Sequence, residues 1–247
     1  MDPQQRKPYL YHIKRGFREY NNYVNTPKDV RQHITTDQGL IKYDINKAHV
    51  TSTARIFAEV EHRVPGTTQK AIKQILNTLD REKVQEDSKQ LENATKDGFT
   101  NLAEFAYTIH CKANPKLHHA LPKEVFLQQA KYGVLKFINR PPRAKYSGKL
   151  NAQDYICQAS RKLYPDLSKG IDLAKRKSFA DAIGLNQNRK NHSSLYHLNE
   201  YIESKIIAEA GQGISHLRIH DCIVISPKDR SQLEAQAQKT GYSFKWE

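Results

Sequence analysis

The chain has 247 residues, with 40 Lys and Arg against 26 Asp and Glu, a formal net charge of +14 and 38 % hydrophobic residues. That length suffices for one large domain or two small ones around a buried core, and a mean hydropathy of −0.78 with a pI near 9.6 makes the surface polar and basic. No apolar run approaches the ~20 residues of a membrane span, and three widely spaced cysteines, Cys111, Cys157 and Cys222, argue against a disulfide framework and a cysteine-based zinc site.

The opening residues Met1-Asp2-Pro3-Gln4-Gln5-Arg6-Lys7 lack the apolar stretch of a signal peptide. The expected location is the cytoplasm, in the nucleoid or in host cytoplasm if the chain comes from a mobile element or phage. The basic excess is the footprint of a phosphate-backbone partner. The 13 Tyr and 8 Phe add rings on which bases can stack. A basic soluble protein or a binder of acidic membranes is the plainer reading of the same charge.

Residues 1–38 form an N-terminal basic segment. Tyr9, Tyr11, Phe17, Tyr20 and Tyr23 interleave with Lys14, Arg15 and Arg18, which predicts a helix and a loop ending near Pro27. Such a helix can grip a template or primer duplex, or pack its tyrosines in a core. Gly39-Leu40-Ile41-Lys42-Tyr43-Asp44-Ile45 reads as a strand, and a helix follows over about 47–63, before Pro65-Gly66. Residues 67–138 read as mostly helical, with apolar stripes at Ala71, Ile75 and Leu79 and at Leu102, Phe105, Ala106 and Ile109.

Arg140-Pro141-Pro142-Arg143 breaks the helical run, and a basic loop through Lys145, Gly148 and Lys149 follows. Helices are predicted near 151–163, 170–184 and 193–210. Gly211-Gln212-Gly213 stops the last of them. A β-hairpin around His220-Asp221, a helix near 227–239 and a strand over 242–246 complete the order. The expected fold class is α+β, a small antiparallel sheet with helices. Residues 39–66 and 211–247 supply the sheet region, and 67–210 form a helical insert between them.

The chemistry is carried by two aspartates at strand or hairpin tips, Asp44 and Asp221. Magnesium prefers oxygen ligands and retains waters, so one or two protein carboxylates and substrate phosphates suffice to hold it. Two such ions about 3.5–4 Å apart can serve both the attacking and the leaving oxygen of a phosphoryl displacement. Asp44 and Asp221 share them if their strands are neighbours. A lone aspartate is also a common turn former or helix cap. In a third element, Lys175 through Gly184, helical spacing sets Lys175 and Phe179 on one face with Ile183 a turn later. A cation there can neutralise charge on a leaving pyrophosphate; an ordinary solvated basic face reads the same way. Arg140, Arg143, Lys145 and Lys149, with Arg176 and Lys177, are candidates for phosphate contacts. The irregular His110 and His118-His119 do not form a zinc pattern. His62, His192 and His197 read as surface residues, and Glu200 and Glu203 as the polar side of their helix, with Glu203 a candidate for turning toward the metals.

Three segments resemble the motifs of the superfamily of family A DNA polymerases and phage-type single-subunit RNA polymerases. Tyr43-Asp44-Ile45-Asn46-Lys47-Ala48-His49 resembles the first palm motif. Lys175 through Gly184 resembles the fingers helix, with Ile183 where that family has tyrosine and Ile171 where it often has arginine. Ile219-His220-Asp221-Cys222-Ile223-Val224-Ile225 resembles the His-Asp palm motif. The resemblance implies a right-hand polymerase-like fold with a large helical fingers region. It implies that Asp44 and Asp221 bind Mg²⁺, or Mn²⁺ in its place, and that the nucleotide-binding residues are Lys175 at the incoming triphosphate, Phe179 or Ile183 near the nascent base pair, and His49 at the position where the family senses the sugar. His220 would lie near the primer terminus. The expected function is template-directed nucleotidyl transfer to a 3′-hydroxyl on a nucleic-acid template and primer, with a DNA product favoured over RNA and no membrane partner. The alternatives are a primase-like or RNA-synthesising version, a two-metal nuclease and a non-catalytic nucleic-acid-binding protein.

Overall fold

The computed structural model describes residues 28–115, 121–141, 150–184, 194–219 and 222–246. The described chain is α+β, mostly helical with a four-stranded antiparallel sheet. It divides into two compact units after Ala48 and again after Asn199, so that 49–199 form one unit and the flanking segments the other. The sequence placed these limits at 66/67 and 210/211. Among the described residues no helix is long and apolar enough to cross a membrane.

The discontinuous unit holds α1 (Lys28–Asp37) and β1 (Ile41–Ile45), then β2 (His216–Ile219), β3 (Cys222–Ile225), α11 (Arg230–Lys239) and β4 (Phe244–Trp246). A short 3₁₀ turn, Pro227–Asp229, leads into α11. The strand order is β2-β3-β1-β4, all neighbours antiparallel. Every residue of β3 is buried, as expected of a central strand whose sequence, Cys-Ile-Val-Ile, is apolar on both faces. β1 alternates instead. Tyr43 and Ile45 are buried on one face, while Lys42 and Asp44 take the other and are only half-buried.

α11 covers the Tyr43 face. Trp246 stacks on Tyr43 with ring centroids 3.9 Å apart, and its indole N–H donates to Glu234 Oε1 at 3.1 Å. Arg230 sits 4.5 Å over the Trp246 ring. These contacts fasten the three-residue β4 to the sheet, which its few ladder bonds alone would do poorly.

The continuous unit is helical: α2 (Ala48–Phe57, its first residue belonging to the other unit), α3 (Gly66–Leu76), α4 (Arg81–Lys96), α5 (Thr100–Ala113), α6 (Lys123–Asn139), α7 (Ala152–Leu163), α8 (Pro165–Ala174) and α9 (Lys177–Ala182). α10 (Ser194–Ala210) begins in this unit and crosses the second limit. Phe57, Leu76, Leu91, Phe99, Phe126, Phe137, Ile156, Leu167 and Ile171 fill its interior. α7 opens with a reciprocal capping box between Asn151 and Asp154. α8 has no side-chain cap of its own, and Asp87 of α4 supplies one. Its Oδ2 accepts the N–H groups of Asp166 and Leu167 at 2.8 and 3.0 Å.

Two predicted helices end differently from expectation. The helix expected over 47–63 stops at Phe57, because Glu59 takes a left-handed φ of 59° and Val60 N–H turns back to Arg55 O. The helix expected over 170–184 is two helices. Lys175 ends α8, and Arg176 is extended at ψ 157° before α9 begins.

Candidate active site

Asp44 lies one residue before the end of β1, directly across the ladder from Cys222 at the start of β3. The expectation from sequence is that the strand ending in Asp44 and the hairpin around Asp221 are neighbours, and β1 pairs with β3, the hairpin strand that follows Asp221 in sequence. His220 and Asp221 themselves lie outside the described residues, between the paired Ile219 and Cys222 of the hairpin. The other register partner of Asp44 is Lys245 of β4. Alternation therefore gathers Asp44, Cys222 and Lys245 on the sheet face opposite Tyr43 and Trp246. The Cys222 thiol donates to Asp44 Oδ1 at 3.4 Å, and Lys245 Nζ stands 3.9 Å from Oδ2. The Asp44 side chain is 14 % exposed against 52 % for Lys245. The carboxylate is thus held in place while one side still faces solvent.

This donor set suits a hard cation in part. Asp44 offers the oxygen that Mg²⁺ or Mn²⁺ prefers, whereas the soft Cys222 sulfur is no ligand for magnesium. Among the described residues no group of three or more His, Cys, Asp or Glu side chains stands ready for a metal. A magnesium site needs no such group, since one or two carboxylates with waters and substrate phosphates complete it. Asp44 and Asp221 are the residues that would hold it.

The fingers-like residues fall differently. Lys175 is 3 % exposed. Its ammonium donates to Phe137 O at 2.9 Å and lies 3.8 Å from Asp172. Burial, opposed by Asp172, lowers its pKa to about 8. With a helix break at Lys175 and Arg176, the lysine does not share a helical face with Phe179, contrary to the spacing argument. It serves the interior of the helical unit. Phe179 is buried and Ile183 half-buried at the end of α9. His49 is half-buried on α2, its ring edge-on to Tyr196 at 5.2 Å.

Of the expected phosphate contacts, Arg176 and Lys177 are exposed. Arg140 instead donates to Asp154 Oδ1 at 2.9 Å. Burial would raise the Asp154 pKa, but Lys136, the Asn151 N–H and Arg140 outweigh it and hold the carboxyl below its usual value. Arg143, Lys145 and Lys149 lie outside the described residues, as does the tyrosine-rich segment 9–23. Glu200 and Glu203 are not on a solvated helix face: they are 5 % and 1 % exposed.

Sequence reasoning missed Cys222 and Lys245 as neighbours of Asp44. The alternation of Tyr242-Ser243-Phe244-Lys245-Trp246 carried a signal for the second, since a buried Trp246 turns Lys245 to the opposite face. A cleft on the sheet unit lined by Leu40, His216, Leu217, Val224 and Lys228 lies at the other end of β1 and does not include Asp44. Comparison with protein-family models, curated proteins and solved structures finds no match to this chain.

Proposed function

We propose that the chain is a template-directed nucleotidyltransferase, a small right-hand polymerase-like catalyst in which Asp44 and Asp221 hold the catalytic divalent cations. The observation that carries this reading is the β1–β3 register. It sets Asp44 opposite Cys222, the residue bonded to Asp221, on the two central strands of an antiparallel sheet. The +14 charge and the resemblance of the two aspartate segments to polymerase palm motifs support the same reading.

In the reaction a 3′-hydroxyl oxygen attacks the α-phosphorus of a nucleoside triphosphate. The bond to the bridging oxygen of pyrophosphate breaks, and the hydroxyl proton passes to solvent. Mg²⁺, when bound, would stabilise charge on the attacking and leaving oxygens. The protein's part is to fix the carboxylates. The Cys222 thiol restrains one oxygen of Asp44, and the paired strands hold the backbone beneath it. Base pairing supplies the choice of nucleotide, and the basic surface carries the backbone.

The test is extension of a primed and an unprimed template with deoxynucleotides and with ribonucleotides. Asp44→Asn and Asp221→Asn should each lower extension by about 10²–10³-fold or more. Both should bind nucleic acid as well as the wild type or better, because a negative charge is removed. Template cleavage without added nucleotides identifies a nuclease instead. Folded variants that extend like the wild type refute the assignment.

A further inference from the structure

The ring of Trp246 is gripped between Tyr43 and Arg230, and its N–H is committed to Glu234. Adjacent strand residues project to opposite faces, so this anchor decides where Lys245 points. It points to the Asp44 face, in register with Asp44, with Nζ 3.9 Å from Oδ2. The two oxygens of Asp44 are therefore differently occupied, Oδ1 facing the Cys222 thiol and Oδ2 facing the Lys245 ammonium. Cys222 is 5 % exposed, and Lys245 is half in solvent on a flexible stem.

We propose that Lys245 is the resident counter-ion of Asp44, occupying the side of Oδ2 that a divalent cation takes. This rests on the metal-binding role proposed for Asp44 and adds a residue that sets how tightly the metal is held. An ammonium and a divalent cation compete for the same carboxylate lone pairs. At 3.9 Å, with the lysine 52 % exposed, the ion pair is loose enough to be displaced without disturbing the strand. Until then it offsets the charge of the Asp44 carboxylate, whose side chain is only 14 % exposed. The exchange is pure ligand competition, with no covalent or redox step.

The experiment is titration of the full chain with Mn²⁺ alone, free Mn²⁺ being followed by its paramagnetic resonance signal, with circular dichroism as the folding control. Lys245→Met should tighten Mn²⁺ binding by about two- to five-fold, the range expected from removing one exposed ion pair. Lys42→Met removes the same charge from the same sheet face, two residues along β1, and should tighten it less. Asp44→Asn should weaken binding by about ten-fold or more. If Lys245→Met behaves like the wild type or like Lys42→Met while Asp44→Asn still loses the metal, the counter-ion role is wrong and the metal site stands. If Asp44→Asn binds Mn²⁺ as the wild type does, the metal site and the counter-ion role both fall.

Discussion

Lys175 gives up the hydration of its ammonium for the Phe137 carbonyl and a longer ion pair with Asp172 at 3.8 Å. Phe137 O lies in the last turn of α6, where its helical partner would be the N–H of residue 141, and residue 141 is proline. The lysine takes the place of that missing donor and sets a cation at the helix C-terminus. The cost appears in its acidity, lowered by burial from 10.5 to about 8. Between those two values the unfolded chain holds a proton that the folded chain has shed, so stability rises with pH across the window. Below it both states are protonated and the penalty is present in full. Methionine at this position removes the penalty together with the bond to Phe137. Chemical denaturation should therefore find wild type and Lys175→Met close in stability at pH 7. The difference should move in favour of wild type by about 2–3 kcal/mol from pH 8 to 10.5, because the neutral amine still donates to Phe137 O. Parallel pH curves for the two proteins would contradict this account. Local spacing could not reveal the role, since the need arises at Pro141 and the answer comes from 38 residues beyond Phe137.

The crossing of α6 and α7 is set by a small residue. A Cβ built on Gly133 of α6 would lie 2.5 Å from Cβ and Cγ2 of Ile156 on α7, so the two backbones approach only because no side chain intervenes. Gly133→Ala should lower stability by about 1–3 kcal/mol in a thermal melt, although alanine favours the helix itself by about 1 kcal/mol. Gly66 meets nothing within 4 Å at the start of α3, so Gly66→Ala should be neutral or stabilising. Pairing Gly133→Ala with Ile156→Gly, which removes both the Cβ and the Cγ2 that the new methyl would meet, should cost less than the sum of the two single changes, because they act on the same crossing. Additive losses would mean that the crossing has another origin. Elements of this kind were legible in the sequence to different degrees. β1, the hairpin strands, α7 and α10 follow from apolar runs, caps and stripes that act within a few residues. The break between α8 and α9 and the early stop of α2 were not legible, since each depends on one residue leaving the helical region in a context set by packing. The burial of Glu200 and Glu203 escaped for a related reason. The stripe Leu198-Ile202-Ile206-Ala210 marks one side of α10, but Asn199, Glu203 and Ile207 are buried beside it and widen the enclosed face beyond what a single stripe suggests.

At the scale of the whole molecule the decisive quantity is charge. A surplus of 14 positive charges on 247 residues opposes compaction by self-repulsion, and the polyanionic partner proposed above would ease it. Binding to DNA or RNA of any sequence should then be driven by release of condensed counterions, and its logarithm should fall linearly with the logarithm of salt concentration. If about five phosphates are neutralised on duplex DNA, the slope is about −4 to −5. Arg176 and Lys177 are both exposed at the start of the short helix α9, whose one acidic residue is Asp181. Replacing the pair by alanine should flatten the slope by about 2, one for each phosphate no longer neutralised. Asp44→Asn should leave the slope near its wild-type value, because the role proposed for that position is toward the cation and not toward the backbone. Fluorescence anisotropy of a labelled duplex across a salt series separates these cases. A slope near zero in the wild type would remove the polyanion from the picture, and with it the reason for reading two strand-end aspartates as the centre of a nucleotidyltransferase. A steep slope that neither basic substitution alters would keep the polyanion and move its track to other lysines and arginines.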